Sequence, residues 1–186
     1  MLLADRSAPI SLTATINAGV VPAGHWVHDP EVGGGRILGE ACHFVDLAIF
    51  ISGSPVAEVC ALALGGASDT ASILLRHADG STATLNYFAN GHRELSKERI
   101  EVFSQGRTLL LDNFRELRGY GFHSFKRLKT SQDKGHARQF ALFADRVRAG
   151  GPALIPWSEV TNSTRAIFAA VRSLESKAWI AVADLK

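Results

Sequence analysis

The sequence predicts an α+β fold of two layers, in which a largely antiparallel, mixed β-sheet carries helices packed on one face. Three observations lead there. The elements run strand, helix, a series of strands, then two helices. Short β-rich runs in the middle of the chain are separated by Asp-Gly, Asn-Gly and Gln-Gly pairs, which are hairpin and turn signals. Apolar residues at helical spacing are confined to three stretches.

Residues 10–18 (ISLTATINA) alternate apolar and polar side chains and are rich in β-branched types, which predicts a strand with one buried face. Residues 20–31 hold two prolines and a glycine and read as a loop. Gly33, Gly34 and Gly35 follow, and a helix is expected from Arg36 to the Gly53-Ser54-Pro55 stop. Residues 56–64 form an apolar strand ended by Gly65-Gly66. Residues 71–76 and 82–88 flank Ala78-Asp79-Gly80-Ser81, a first hairpin; residues 99–104 and 108–112 flank Gln105-Gly106, a second. Residues 114–117 extend the meander, and residues 119–134 read as irregular, with their run of lysines on a solvated loop or edge. Phe140, Phe143 and Val147 at i, i+3, i+7 place a helix over residues 136–149, broken by Gly150-Gly151-Pro152. A last helix runs to about Lys177, with Ser158 as its N-cap and Glu159 in its first turn.

At 186 residues, with 46% hydrophobic and 20% charged residues, the chain reads as one domain, 1–186, able to bury a sizeable core. A net charge of +2 argues against a nucleic-acid partner. No apolar run approaches a membrane span, and the first residues lack the pattern of a signal peptide. Cys42 and Cys60 give no disulfide framework and read as buried free thiols suited to a reducing cytoplasm.

Residues 25–47, HWVHDPEVGGGRILGEACHFVDL, concentrate the chemistry. At about 100° per residue, Ile37, Ala41, Phe44, Val45 and Ala48 share one helix face, while Arg36, Glu40 and His43 fall within an arc of about 60° on another. The free N–H groups and positive dipole end beyond the glycine turn suit an anionic or hydroxyl-rich small molecule.

This stretch resembles the sugar-site helix of the glucose-fructose oxidoreductase / inositol dehydrogenase / rhizopine-catabolism family. That family carries Gly-Gly-Gly and then Asp-x-x-x-His at this place. His43, eight residues after Gly35, falls on its catalytic histidine; the Asp position is Gly39 here, with an acid one residue later at Glu40. The tripeptide NAG at residues 17–19, DGSTATLNYFANG and QDKGH resemble a branch of long two-part oxidoreductases from sugar gene clusters. The resemblance implies a C-terminal domain like that of glyceraldehyde-3-phosphate dehydrogenase, with an open sheet face that builds a homodimer or higher oligomer. It implies NAD or NADP, bound mainly by an N-terminal dinucleotide-binding domain. No Gly-x-Gly-x-x-Gly follows an early strand here, so that domain, with the family's catalytic lysine, is expected before residue 1.

The candidate site follows. His43 is the expected catalytic acid/base, because oxidising an alcohol requires a base for the hydroxyl proton and imidazole titrates near neutrality. A structural helix histidine is the alternative. Glu40 is its expected helper at i, i+3; it equally suits a substrate hydroxyl or an i, i+4 ion pair with Arg36. His25, Trp26 and Asp29 suit a sugar ring, packed on the indole and held by polar tips, unless Trp26 anchors the loop in the core. Asn17, Arg36, Lys97, Lys134 and His136 complete the expected substrate contacts, the cations suiting a carboxylate or phosphate. Gly33, Gly34 and Gly35 are expected to let a cofactor approach the backbone. His25 and His28 with Glu40 and His43 match no closed zinc pattern, so no metal is expected.

The resulting expectation is the substrate-binding and catalytic half of an NAD(P)-dependent oxidoreductase acting on a sugar, cyclitol or nucleotide-sugar hydroxyl, inactive in isolation. The rival classes are a non-catalytic dimerisation or ligand-sensing domain, and a metallohydrolase.

Overall fold

The computed structural model describes residues 8–29, 31–65 and 69–185; residues 1–7, Pro30 of the loop and Gly66 of the expected strand stop lie outside it. Nine strands form one sheet: β1 (Ser11–Asn17), β2 (Val56–Ala63), β3 (Ala71–His77), β4 (Thr82–Phe88), β5 (Glu98–Ser104), β6 (Arg107–Asp112), β7 (Glu116–Tyr120), β8 (Arg127–Lys129) and β9 (Ile180–Ala181). Their order is β8-β7-β6-β5-β1-β4-β3-β2-β9. Only the β1–β4 pair is parallel, so the sheet is mixed and mostly antiparallel. The helices are α1 (Cys42–Ser52), α2 (His136–Ala149) and α3 (Trp157–Ser176).

The period-2 pattern sets the two faces. Leu12, Ala14 and Ile16 of β1 are buried, as are Ile73 and Leu75 of β3 and Ala83, Leu85 and Tyr87 of β4. They meet Val45, Ala48 and Ile49 of α1 and Ala166, Ile167 and Ala170 of α3 in a single core. Each fully buried Leu or Ile in it contributes about 1.5–3 kcal/mol. Small residues on α3 let it lie close to β2. Asn162 exchanges hydrogen bonds with the Val56 backbone at 2.8 and 3.0 Å, and Ser173 Oγ accepts from Ala61 N at 2.8 Å.

The turns are those the sequence specifies. Gly80 adopts φ +88° between β3 and β4, where Asp79 Oδ1 accepts from Ser81 N. Gly53 caps α1 at φ +71°, donating to Ile49 O.

Several expectations need correction. The helix expected from Arg36 begins as a π-helical turn, Ile37–Ala41, and becomes α-helical only at Cys42. Gly39 inside that turn lacks a side chain to hold regular geometry, and π-turns of this kind concentrate at functional sites. The wider turn changes the phase, so Arg36 does not share an exposed stripe with Glu40 and His43; it is buried. The irregular segment 119–134 contains the end of β7 and all of β8, because Glu116 pairs with Arg118, Arg127 and Lys129 and relieves their mutual repulsion along the sheet edge. The α3 N-cap is Pro156, with Ser158 already inside the helix; proline's fixed φ suits a helix start. Cys42 and Cys60 are free but half-buried. The carboxyl-terminal strand β9 carries no sequence signal of its own: two residues pair with Val59 and Glu58 because the α3 C-cap at Lys177 returns the chain there.

Helices α1 and α3 cover one face of the sheet. Helix α2 buries none of its residues, and Phe140, Phe143 and Val147 lie exposed.

Candidate functional site

The loop after β1 is tied together by its own short-range chemistry. Asp29 Oδ1 accepts from Glu31 N at 2.8 Å and Val32 N at 3.2 Å, while its carbonyl accepts from Gly33 N and Gly34 N. Gly34 and Gly35 take φ +66° and +87°. A Cβ on Gly33 would lie 2.5 Å from Trp26 O and Val27 Cα. At Gly33 the close approach that needs glycine is therefore made by the chain's own backbone, whereas Gly35 has nothing within 4 Å and Gly34 meets only the Leu38 side chain. Gly33 thus serves internal packing, which accounts for one of the three glycines expected to let a cofactor approach.

The turn delivers the chain to Arg36. This guanidinium, 3% exposed, donates to Gly19 O at 2.6 Å and Ala18 O at 3.0 Å, and its Nε bonds Glu40 Oε1 at 3.1 Å. It also lies 5.4 Å from the centre of the Tyr87 ring. Tyr87, fully buried on β4, donates its hydroxyl to Glu40 Oε2 at 2.7 Å. Burial pushes the Glu40 carboxyl up, but the hydrogen bonds from Arg36 and Tyr87 and the Arg36 charge outweigh it and hold the group below the usual carboxylate range. Burial and the Glu40 carboxylate push the Tyr87 phenol well above its ordinary value. Burial pulls the Arg36 guanidinium down, and its bond to Glu40 more than restores it. Arg36, Glu40 and Tyr87 thus lock the π-turn to the sheet. Of the roles expected for Glu40, the structure shows the Arg36 ion pair and no hydrogen bond to His43.

One turn further, His43 projects from the start of α1. It is exposed, and its ring makes no hydrogen bond or ion pair among the described residues. It lines a cavity of about 500 Å³. Glu40, Lys97, Lys134 and His136 reach the same cavity from three segments, the last two residues sharing the start of α2 and the residues before it. Phe44, Leu47 and Phe114 give it apolar wall, and Asp46, Glu98 and Glu159 add carboxylates. A neighbouring hollow of about 590 Å³, between the end of α1 and the start of α3, holds no histidine.

The remaining expected contacts lie elsewhere. Asn17 is buried and clamps the following loop, Nδ2 donating to His92 O at 2.8 Å and Leu95 O at 3.1 Å. Arg36 is consumed internally. His25, Trp26 and Asp29 sit on the loop surface, outside the cavity wall; His25 Nδ1 accepts from Val27 N, and the two rings lie 5.6 Å apart. Trp26 is 61% exposed, so Val27, not the indole, anchors the loop. Among the described residues no group of three or more His, Cys, Asp or Glu is placed to hold a metal.

Two residues of the site escaped sequence reasoning. Tyr87 follows Ala83 and Leu85 in the inward phase of β4, and Glu98 precedes Ile100 and Val102 in the inward phase of β5. A polar group on the buried parity of a strand was the available signal in both.

Residues 8–109 match the family model described as the GFO/IDH/MocA C-terminal domain. The chain belongs to that family. Solved structures agree with the assignment of fold. The GFO/IDH/MocA domain here superposes on an NAD-binding oxidoreductase from Klebsiella pneumoniae with a TM-score of 0.75 at 18% identity, covering 94% of this chain and 58% of that one. It superposes on a UDP-N-acetylglucosamine 3-dehydrogenase from Acidithiobacillus ferrooxidans at 0.74 and 19%, covering 93% and 56%. With an aldose-aldose oxidoreductase from Caulobacter crescentus, complexed with glycerol, the values are 0.74 and 14%, with 93% and 56% covered. The domain therefore spans less than three fifths of the length of these neighbours. Comparison with curated protein sequences returned no match.

Proposed function

We propose that this chain is the substrate-binding and catalytic half of an NAD(P)-dependent oxidoreductase acting on a secondary hydroxyl of a sugar, cyclitol or nucleotide sugar. The observation that carries the proposal is His43: an unengaged imidazole on the wall of a cavity lined by polar groups, in a chain of this family. Two of the structural neighbours are named as sugar oxidoreductases. When bound, the nicotinamide accepts or supplies hydride; its holder is a dinucleotide-binding domain distinct from the domain described above.

The work of this chain is then positioning and proton transfer. Glu40, fixed by Arg36 and Tyr87, sets the π-turn and so the direction of His43. Lys97, Lys134 and His136 border the space a polyol would fill. The His43 ring, free of internal partners, takes the hydroxyl proton in oxidation and returns it in reduction, a role that contributes about 10²–10⁴-fold in rate. Oligomerisation uses the other face of the sheet, where no helix lies among the described residues and Leu62, Leu74 and Phe103 are exposed beside rows of threonine. Among the described residues no helix is long and apolar enough to cross a membrane. The two unpaired cysteines suit a reducing cytoplasm.

The test is a panel of sugars and cyclitols assayed with NAD and with NADP, the chain being joined to a dinucleotide-binding domain of this family. Polyol-dependent cofactor reduction is expected. Turnover of none of them, with the domains shown to be folded, favours the second reading. That reading is a non-catalytic dimerisation or ligand-sensing domain, and one observation supports it: both Glu40 oxygens are engaged by Arg36 and Tyr87, which leaves His43 without a carboxylate to orient it.

A further inference from the structure

Glu98 occupies a position where the strand pattern calls for an apolar side chain. On β5 it shares the inward parity with Ile100 and Val102, and its register partner on β1 is Ile16. It is 3% exposed, yet it borders the cavity. A carboxylate so placed is costly unless it is paired. One oxygen, Oε1, takes Lys134 Nζ at 2.6 Å; the other, Oε2, has no hydrogen-bond partner among the described residues. The Lys134 ammonium also lies 5.6 Å from the centre of the Phe114 ring. It is therefore bound to a buried carboxylate and is not a spare cation for a ligand.

The charges at the cavity wall pair off from here. Arg36 answers Glu40, and Lys134 answers Glu98. Lys97 makes no ion pair among the described residues; its charge helps to hold the Glu40 carboxyl down, and Asp46 and Glu159 line the same wall. Of the lysines that suggest an anion site in the sequence, Lys134 is neutralised, and the wall as a whole carries four carboxylates against two lysines, so an incoming carboxylate or phosphate would meet an excess of like charge.

We propose that Glu98 sets the charge selectivity of this cavity: by cancelling Lys134 it makes the site accept uncharged or amine-bearing polyol rings and reject rings that carry a carboxylate or phosphate into the cavity. The proposal rests on the reading of this cavity as the polyol site. It adds a residue and a substrate class to that reading.

Glucose, glucosamine and glucuronate share a ring and differ in charge, and each can be titrated at neutral pH against the full chain by saturation-transfer NMR. Glucose and glucosamine are expected to bind, with glucuronate about tenfold weaker or more, since a like charge at contact distance near a protein surface has at least that effect. Glu98→Gln keeps the shape and frees Lys134; glucuronate should then gain about tenfold relative to glucose. The double variant E98Q/K134M removes both charges and should restore the wild-type ranking. Glucuronate binding the wild type as well as glucose does would overturn the proposal, as would an unchanged ratio in folded E98Q. The wild-type ranking stands without any variant, so loss of folding in E98Q leaves the question decided by that arm. If none of the three sugars binds the wild type, the polyol site itself is refuted and this proposal with it. If glucose binds without charge discrimination, only the selectivity role of Glu98 falls.

Discussion

The Tyr87 hydroxyl donates to Glu40 Oε2 at 2.7 Å, from a strand 47 positions away in sequence. The bond joins the sheet core to the π-turn that leads into His43, and the same carboxylate is held from its other side by Arg36. Tyr87→Phe removes the donor and leaves packing in place. Stability should fall by about 1.5–3 kcal/mol, the usual loss for a hydrogen bond to a charged group, measured by urea unfolding. An unchanged midpoint would mean that the bond contributes nothing to the turn.

The Glu40 carboxyl has a folded pKa below its unfolded value. The native state therefore binds fewer protons than the unfolded state through that window. The stabilisation is fully present above the ordinary value of 4.5 and is lost as pH falls through the lower, folded value. Unfolding free energy measured across that acid range should drop with falling pH in the wild type. Glu40→Gln should drop less steeply, and parallel slopes would contradict the assignment.

Two glycines of the central stretch should behave in opposite ways. Gly33→Ala forces a Cβ to within 2.5 Å of backbone atoms of Trp26 and Val27, which cannot move aside cheaply. Its cost should be about 1–3 kcal/mol, as for other overpacked sites. Gly39 has nothing within 4 Å of the corresponding position and a φ that any residue adopts, so Gly39→Ala should be neutral or stabilising by up to about 1 kcal/mol. Thermal unfolding of the pair decides whether the glycine turn serves internal packing.

Glu116 gathers Arg118, Arg127 and Lys129 at the free edge of the sheet. The hydrogen bonds from Arg127 and Arg118 hold its carboxyl down at about 2. Glu116→Gln leaves three cations facing one another on β7 and β8. Amide exchange in β8 should accelerate while the core strands keep their protection; equal protection throughout would show that backbone pairing alone holds β8.

The open sheet face predicts self-association. Thr84 lies at its centre, in register with Thr13 on one side and Leu74 on the other. Thr84→Arg should convert a dimer to a monomer in sedimentation experiments without lowering the unfolding midpoint. A wild-type monomer at all concentrations would remove the sheet face as the interface.

Much of this fold was legible because local signals agreed with the global arrangement. The Asp79-Gly80 and Gln105-Gly106 turns, the Gly53 and Gly150 helix stops and the alternation in β1 and β4 each depend on a few adjacent residues. The site was legible only in part. His43, Glu40, Lys97, Lys134 and His136 do meet at one cavity, but Arg36 and Asn17 were expected to face a ligand and instead hold backbone carbonyls. Those contacts join segments 17 to 78 positions apart, and nothing in the neighbouring residues announces them. The π-turn defeats simple helical arithmetic for the same reason: its geometry is imposed by the long-range bond to Tyr87 and by the carbonyls of the β1 loop. Helix α2 was correctly bounded, yet the sequence does not reveal that its apolar face stays uncovered in this chain.

The most direct test of the central assignment is the turnover number of His43→Ala in the two-domain assembly, with a polyol that the wild type oxidises. The account predicts a fall of about 10²–10⁴-fold in kcat with KM changed far less, because the ring acts on the proton in flight more than on the bound alcohol. Equal kcat in the two proteins would contradict it and remove His43 from the chemistry.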